Sequence, residues 1–376
     1  MPPPPTKPLR LVVVCPSWVG DVVMATPALR RLRRSLPGAT IALLVKPGVA
    51  PILDGLDAFD ELILSHPGGM MGHKHTASKL RRFAFDSALL LTNSFSSALT
   101  VRLAGIPRRL GYDRDARHLL LTHRLRAPKR ADGSWAIVPA VDYYWHAAGA
   151  LLDLPEPTPD LTPADELGNH RLPEAVYLEL APTERDRREA DAVLGRAGVL
   201  DRAYALLNPG GNNPAKRWPT DRFARLADHL AKDFGLTVLL NGSPGEIDLL
   251  ESIADQTDSK PIVLAKLGTT LGSLKPIIAG ARLMVTNDTG PRHIAAAFGV
   301  PLVTLFGPTD HRWTTIPTRP EGPEIILQAD PSLPPTESAN DHPERCRVDR
   351  IELDRVLGAV ESLLGSAEML EPGRNS

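Results

Sequence analysis

The 376-residue chain is too long for one ordinary α/β core and fits two domains of roughly 150 to 200 residues each. With 43% hydrophobic and 23% charged residues and a formal net charge of −1, its composition excludes a disordered or fibrous protein. The net charge hides an asymmetry: residues 1–146 hold 20 Lys and Arg against 10 Asp and Glu, which leaves 23 basic and 34 acidic residues for the remainder.

Such a split has two readings. Either the basic half meets an anionic partner (a phosphorylated glycolipid, nucleic acid or a membrane surface), or the two halves attract each other. The only cysteines, Cys15 and Cys346, are far apart and form no CxxC, which argues against zinc or redox chemistry and fits a reducing cytoplasm. No apolar run approaches the roughly 18 to 20 residues of a membrane span. The proline-rich residues 1–8 do not resemble a secretion signal, so any membrane contact is expected to be peripheral.

Residues 9–15 are short, β-branched and apolar, as in a buried parallel strand. A turn at Pro16 to Gly20 precedes a helix expected over residues 21–35, with Val22, Ala25, Leu29 and Leu32 on one face. Arg30, Arg31, Arg33 and Arg34 gather toward its C-terminal end, where the helix dipole favours cations. Strands over Thr40–Val45, Glu61–Leu64 and residues 86–91 continue a βα rhythm that predicts a doubly wound parallel sheet. Residues 153–182, proline-rich and acidic, mark an interdomain linker, and residues 183–196 resume helical spacing. The rhythm restarts with a strand at 203–207, a loop at 208–219, a helix over Thr220–Phe234 and a strand over Thr237–Leu240. Later strands at 283–286 and Leu302–Phe306 complete a second Rossmann-like domain. A last amphipathic helix is expected over 351–364, followed by a polar tail.

Three segments carry candidate chemistry. Gly20-Asp21 follows the first strand, at the carboxyl edge where such sheets bind ligands. Asp21 is either a helix N-cap or a carboxylate base, and a helix start keeps it ionised. The loop Asn208-Pro209-Gly210-Gly211-Asn212-Asn213-Pro214-Ala215-Lys216-Arg217-Trp218-Pro219 offers glycines for close approach and Lys216 for a diphosphate, although it is no Walker A loop. In Thr286-Asn287-Asp288-Thr289-Gly290-Pro291-Arg292-His293 a strand end turns into a helix start. Its backbone N–H groups and the Thr289 hydroxyl suit a pyrophosphate without a metal, or the segment is an ordinary capped helix. Glu246, in Asn241-Gly242-Ser243-Pro244-Gly245-Glu246, could bind ribose hydroxyls or belong to a plain loop. The eleven histidines show no metal-ligand spacing.

With these motifs in order, the chain from Leu9 to Leu364 resembles glycosyltransferase family 9, and within it the ADP-heptose:lipopolysaccharide heptosyltransferases of the type that adds the second heptose. The resemblance rests on Trp18-Val19-Gly20-Asp21 with Thr26-Pro27-Ala28-Leu29 and on Asn208-Pro209-Gly210-Gly211 with Lys216-Arg217-Trp218-Pro219. It rests also on Thr286 to Pro291 with His293 and on Leu305-Phe306-Gly307-Pro308-Thr309.

It implies a GT-B fold, two Rossmann-like doubly wound domains facing across a cleft: an acceptor-binding domain at 1–175, a nucleotide-sugar domain at 176–348, and a final helix and tail at 349–376 packing back on the first. It also implies an inverting, metal-independent transfer of heptose from ADP-heptose to an anionic glycolipid, the lipopolysaccharide inner core. No cofactor, metal or nucleic acid takes part, and the enzyme would work in the cytoplasm, peripherally at the inner face of the membrane.

On the matching positions Asp21 is the base and Lys216 holds the diphosphate. Asp288 holds sugar hydroxyls, and Thr289, Gly290 and His293 form the phosphate turn. Asn212, Asn213, Glu246 and Thr269 complete the donor set, with Glu246 at the ribose and Thr269 near adenine. Gly20, Arg81 and Arg82 serve the acceptor. The resemblance departs at 331–343, which lacks the cysteine-containing insert common in the second-heptose type. The rivals are a family 9 transferase with another donor or acceptor, a GT-B-fold sugar-nucleotide epimerase and a noncatalytic nucleotide-sugar binder. A nicotinamide dehydrogenase is disfavoured by the missing Gly-x-Gly-x-x-Gly.

Overall fold

The structure is a computed structural model. It describes residues 8–66, 68–153, 160–164 and 168–370, without the side chains of 366–370. The expectations for residues 1–7, for 154–159 and 165–167 of the linker, and for the tail beyond 370 lie outside the described residues. The chain forms two compact units, Met1–Glu179 and Leu180–Ser376, so the division falls four residues after the expected one.

In the first unit, β1 (Arg10–Val14), β2 (Thr40–Val45), β3 (Glu61–Leu64), β4 (Ser87–Leu90), β5 (Arg108–Tyr112) and β6 (His123–Leu125) form one parallel sheet in the order β3-β2-β1-β4-β5-β6. The expected helix over 21–35 is two helices, α1 (Val19–Met24) and α2 (Thr26–Ser35), broken at Ala25. Pro27 explains the break: it lacks an N–H and sits in the first turn of α2, where a missing donor costs nothing. Three further helices, α3 (Gly69–Arg81), α4 (Phe95–Leu103) and α5 (Ala140–Leu152), follow β3, β4 and β6. Val12, Val14, Ala42, Leu44, Ala88 and Leu90 bury completely or nearly so against Leu80, Ala98 and Val101. Strands covered on both faces read as continuous apolar runs, which is why their period-2 alternation is absent from the sequence.

The second unit repeats the topology. Helix α6 (Glu184–Ala197) opens with a capping box between Thr183 and Asp186 and ends at Gly198, whose φ of 68° suits glycine. Its sheet comprises β7 (Tyr204–Asn208), β8 (Thr237–Leu240), β9 (Ile262–Val263), β10 (Leu283–Asn287), β11 (Leu302–Phe306) and β12 (Glu324–Gln328), in the order β12-β11-β10-β7-β8-β9. Helices α7 (Thr220–Phe234), α8 (Ile247–Asp255), α9 (Leu271–Ala279) and α10 (Gly290–Ala297) connect these strands. Both sheets thus run in the dinucleotide-fold order, with a topological switch point between β1 and β4 in one and β7 and β10 in the other.

The last helix, α11 (Leu353–Leu370), corrects one expectation. Val356, Val360, Leu363 and Leu364 belong to the second unit's core, beside Phe223, Leu226 and Val303. They cover the apolar face of the second sheet, so residues 353–364 are part of that unit and do not form a separate segment.

Candidate functional site

Asp21 is the third residue of α1, and the N-cap position belongs to Trp18, which makes no side-chain cap. Capping by Asp21 is therefore not what the fold uses. Its half-buried carboxylate accepts a 3.1 Å hydrogen bond at Oδ1 from the Tyr144 hydroxyl on α5. Tyr144 is buried, and burial, followed by the nearby Asp21 charge, raises its pKa well above 10, so it remains a donor. Beside it, Tyr143 donates to Asn93 Oδ1 at 3.0 Å and stacks on Tyr112 at 3.6 Å between ring centres. Asn93 also accepts from Arg117, a fully buried guanidinium whose pKa burial lowers to about 10, leaving it cationic. Sequence reasoning missed all of these partners: Tyr144 lies 123 residues from Asp21, and no local pattern singles it out.

A cavity of about 520 Å³ opens at the carboxyl ends of β1, β2 and β4, lined by Cys15, Ser17, Lys46, His66, His73 and Thr92 among others. It is hydroxyl-rich, with Ser94, Ser96, Ser97 and Thr100 on its wall. Thr100 Oγ1 gives its proton to Ser96 O at 2.9 Å, so it accepts from His73 Nδ1 at 2.9 Å and fixes the proton of a neutral His73 ring on Nδ1.

Gly20 is buried in α1. Arg81 and Arg82 lie elsewhere. They end α3, Arg81 donates to Leu103 O, and the neighbouring Phe83 O accepts from Arg10 at the first residue of β1. That is the amino edge of the sheet, opposite the cavity, because a crossover helix runs antiparallel to its strands. Neither residue lines the cavity.

In the second unit, three asparagines at strand ends lock the loops. Asn241 donates to Asn208 at 2.6 Å, Asn208 donates to the Thr289 hydroxyl at 2.9 Å, and Asn287 donates to Pro209 O at 2.7 Å. Thr289 is the N-cap residue of α10, yet its side chain makes no cap bond and is held instead by Asn208 and by Thr286 at 3.2 Å. Gly290 and Pro291 open the helix as expected.

Lys216, at the end of a short 3-10 turn started by Asn213 accepting from Ala215 N, pairs with Asp288 Oδ2 at 2.8 Å. Thr309 donates to the same oxygen at 3.0 Å. Burial opposes the charge on Asp288, but Lys216 and Arg292 outweigh it and hold its pKa below the usual carboxylate range. His293 is fully enclosed. Burial first, then Arg292, pushes its pKa down to about 3, so it sits in the turn as a neutral group and not as a cation for phosphate.

Glu246, expected at the ribose, is engaged by the loops on either side of it. Its Oε1 accepts from Gly211 N at 2.7 Å and its Oε2 from the N–H and hydroxyl of Ser243 at 2.8 and 2.7 Å, closing a capping box. Burial opposes its ionisation, but these bonds prevail and hold its pKa low. Glu246 is thus a strut between two loops. A Cβ on Gly210 would stand 2.4 Å from Oε1, which is why glycine is needed there. Arg217, also missed, donates to Gly211 O at 2.9 and 2.7 Å. Asn212 is exposed, and Thr269 donates to Leu264 O at 2.9 Å, just before the capping box that starts α9. The structure therefore brings Lys216, Asp288, Thr289, Gly290 and His293 to one turn region, with Asp21 and Gly20 on the other unit. Among the described residues no group of three or more His, Cys, Asp or Glu is arranged to hold a metal ion.

The profile of Glycosyltransferase family 9 (heptosyltransferase) matches residues 74–330. Lipopolysaccharide heptosyltransferase 2 of Salmonella typhimurium is 30% identical over 318 residues, 81% of this chain and 85% of that protein. Lipopolysaccharide heptosyltransferase 3 of Escherichia coli K12 is 28% identical over 307 residues, 78% of this chain and 80% of that one. Among solved structures, E. coli ADP-heptose lps heptosyltransferase II superposes with a TM-score of 0.76 at 26% identity, covering 96% of this chain and all of that one (100%). An E. coli heptosyltransferase solved with ADP-2-deoxy-2-fluoro heptose shares the fold, with a TM-score of 0.64 at 20% identity over 94% and 99% of the two chains. On sequence, motif order and two parallel sheets of matching topology, the chain belongs to glycosyltransferase family 9, the heptosyltransferase family, and is a heptosyl-transferring enzyme.

Proposed function

We propose that the enzyme transfers heptose from ADP-heptose, or a closely related nucleotide sugar, to the lipopolysaccharide inner core in one inverting displacement that needs no metal. The observation that carries the reading is the Lys216–Asp288 pair beside the opening turn of α10, which sets a cation for a diphosphate next to a carboxylate for sugar hydroxyls. Lys216 and the backbone N–H groups of Gly290 and His293 stabilise the departing ADP, taking the place a metal would fill. Asp288, its carboxylate oriented by Thr309, holds the heptose. In this reading Asn212, Asn213 and Thr269 meet the rest of the donor, and Glu246 supports their loop through Gly211.

Asp21 accepts the proton of the acceptor hydroxyl as its oxygen attacks the anomeric carbon and the bond to the diphosphate breaks. The cavity beside β1, with Lys46 and its many hydroxyls, receives the anionic acceptor sugar. Among the described residues no helix is long and apolar enough to cross a membrane. A glycolipid acceptor places the enzyme peripherally at the inner face of the cytoplasmic membrane.

The test is ADP release from ADP-heptose, with and without heptose-deficient lipopolysaccharide, by the wild type and Asp21→Ala. Acceptor-dependent release abolished in Asp21→Ala supports the reading. Release from another nucleotide sugar alone, or none, overturns the donor assignment.

A further inference from the structure

The base is not a lone carboxylate. Tyr144 comes from a helix 123 residues along the chain and reaches Asp21 through a buried hydroxyl, at 3.1 Å, with α5 packed against both α1 and α2. The phenol is itself held. Tyr143 stands edge-on to it at 6.3 Å, and Tyr143 is in turn fixed by Asn93 and by the stacked Tyr112. The Tyr112 hydroxyl bonds Tyr143 O at 2.9 Å and lies 2.8 Å from His146 Nδ1, so one turn of α5 is pinned from the far side. A donor so constrained both orients the carboxylate and stabilises its charged form.

We propose that Tyr144 is a positioning residue for catalysis, setting through its hydrogen bond the orientation and basicity of Asp21. This rests on the reading of Asp21 as the base. The other titratable groups on the elements around α1 are Tyr143, Asp142 and His146 on α5, Arg30, Arg31, Arg33 and Arg34 on α2, and Cys15 after β1. Arg30 is engaged by Asp57 and Glu179, and Arg31 lies over Trp145. Burial lifts Tyr143 and Cys15 to about 12, far above the range in which a carboxylate titrates. Asp142, raised by burial to about 6, is the group whose titration could be confused with that of Asp21.

The experiment compares pH profiles of kcat/KM for the full-length wild type, Tyr144→Phe and Asp21→Asn, each also in the Asp142→Asn background. Tyr144→Phe keeps the ring and removes the donor. The loss of a bond to the charged form raises the carboxylate's pKa, so the acid limb is expected to move up by about one pH unit. kcat should fall about tenfold, with donor KM unchanged and the melting temperature at neutral pH lower by only a few degrees, the cost of the same lost bond. Replacing Tyr144 by 3-fluorotyrosine, a stronger donor, should move the limb the other way and covers the case of a poorly folding phenylalanine variant. An unmoved acid limb in Tyr144→Phe and in the fluorotyrosine protein, with Asp21→Asn inactive, overturns the proposal and leaves the base standing. Asp21→Asn at wild-type rate removes the base itself and the proposal with it.

Discussion

At the scale of single residues, the second unit's turn region shows charges used twice. Lys216 neutralises the nearly buried Asp288 carboxylate and is proposed to meet a diphosphate, so removing it outright would leave a carboxylate stranded. Lys216→Gln keeps a donor for Asp288 while deleting the charge. Donor affinity, measured by ADP titration, is expected to fall about 10- to 100-fold with little change in melting temperature; unchanged affinity would displace the diphosphate from Lys216. Gly210→Ala drives a Cβ into Glu246, which three hydrogen bonds prevent from yielding. The expected cost is about 1 to 3 kcal/mol of stability, read by denaturant unfolding, together with weaker donor binding. His293 supplies a pH prediction. The unfolded imidazole protonates near 6.5 and the folded one only near 3, so between those values the unfolded state holds the extra proton and acid erodes stability. His293→Asn should flatten the fall of melting temperature between pH 6.5 and 3; an equally steep fall in that variant would remove His293 as the cause. At this scale the sequence marked Asp21, Lys216 and Asp288 because they stand in recognisable local strings. It passed over Tyr144 and gave no role to Arg217 or to Asn208, Asn241 and Asn287 within their strings, because that meaning exists only once distant strand ends meet. Glu246 shows the converse, a conspicuous loop carboxylate that the fold spends on backbone N–H groups.

At the scale of elements, buried ion pairs tie helices to what they pack on. Arg292 of α10 is fully buried and reaches Glu324 at the start of β12, at 2.6 Å to Oε1 and 2.9 Å to Oε2, and it also donates to Thr314 O at 2.8 Å. Arg292→Met leaves Glu324 as an uncompensated buried charge, and about 3 to 5 kcal/mol of unfolding free energy should be lost. Arg292→Met with Glu324→Gln should recover part of it, and a double variant no better than the single would show that Glu324 is not the source. Lys275 and Asp186 form a similar bond at 2.9 Å between α9 and α6, using a carboxylate that also closes the capping box of Thr183. The βα rhythm of both units was legible because apolar runs punctuated by turn residues survive in the sequence. The break between α1 and α2 was not predicted: apolar spacing continues across Ala25, and only the absent N–H of Pro27 interrupts the ladder. Helices α3, α4 and α5 were passed over because their faces are mixed; the buried Ala147, Ala148 and Gly149 of α5 are small and carry little periodic signal.

For the whole molecule, the reading without a metal predicts that transfer proceeds at an unchanged rate after exhaustive chelation, measured as ADP release; an absolute requirement for an added divalent cation would contradict the roles of Lys216 and the α10 turn. Another consequence concerns synthesis. Every strand of the first sheet lies before residue 126 and its last helix ends at Leu152, so the first unit has all its elements once residue 179 has left the ribosome. Domains generally fold as they emerge, N-terminal first. The second unit cannot do likewise until α11 has emerged, because Val356, Val360 and Leu363 of α11 roof its sheet. A chain stopped short of Leu353 would therefore bring a complete first half into the cell joined to a second half with an open apolar face, a target for chaperones and proteases.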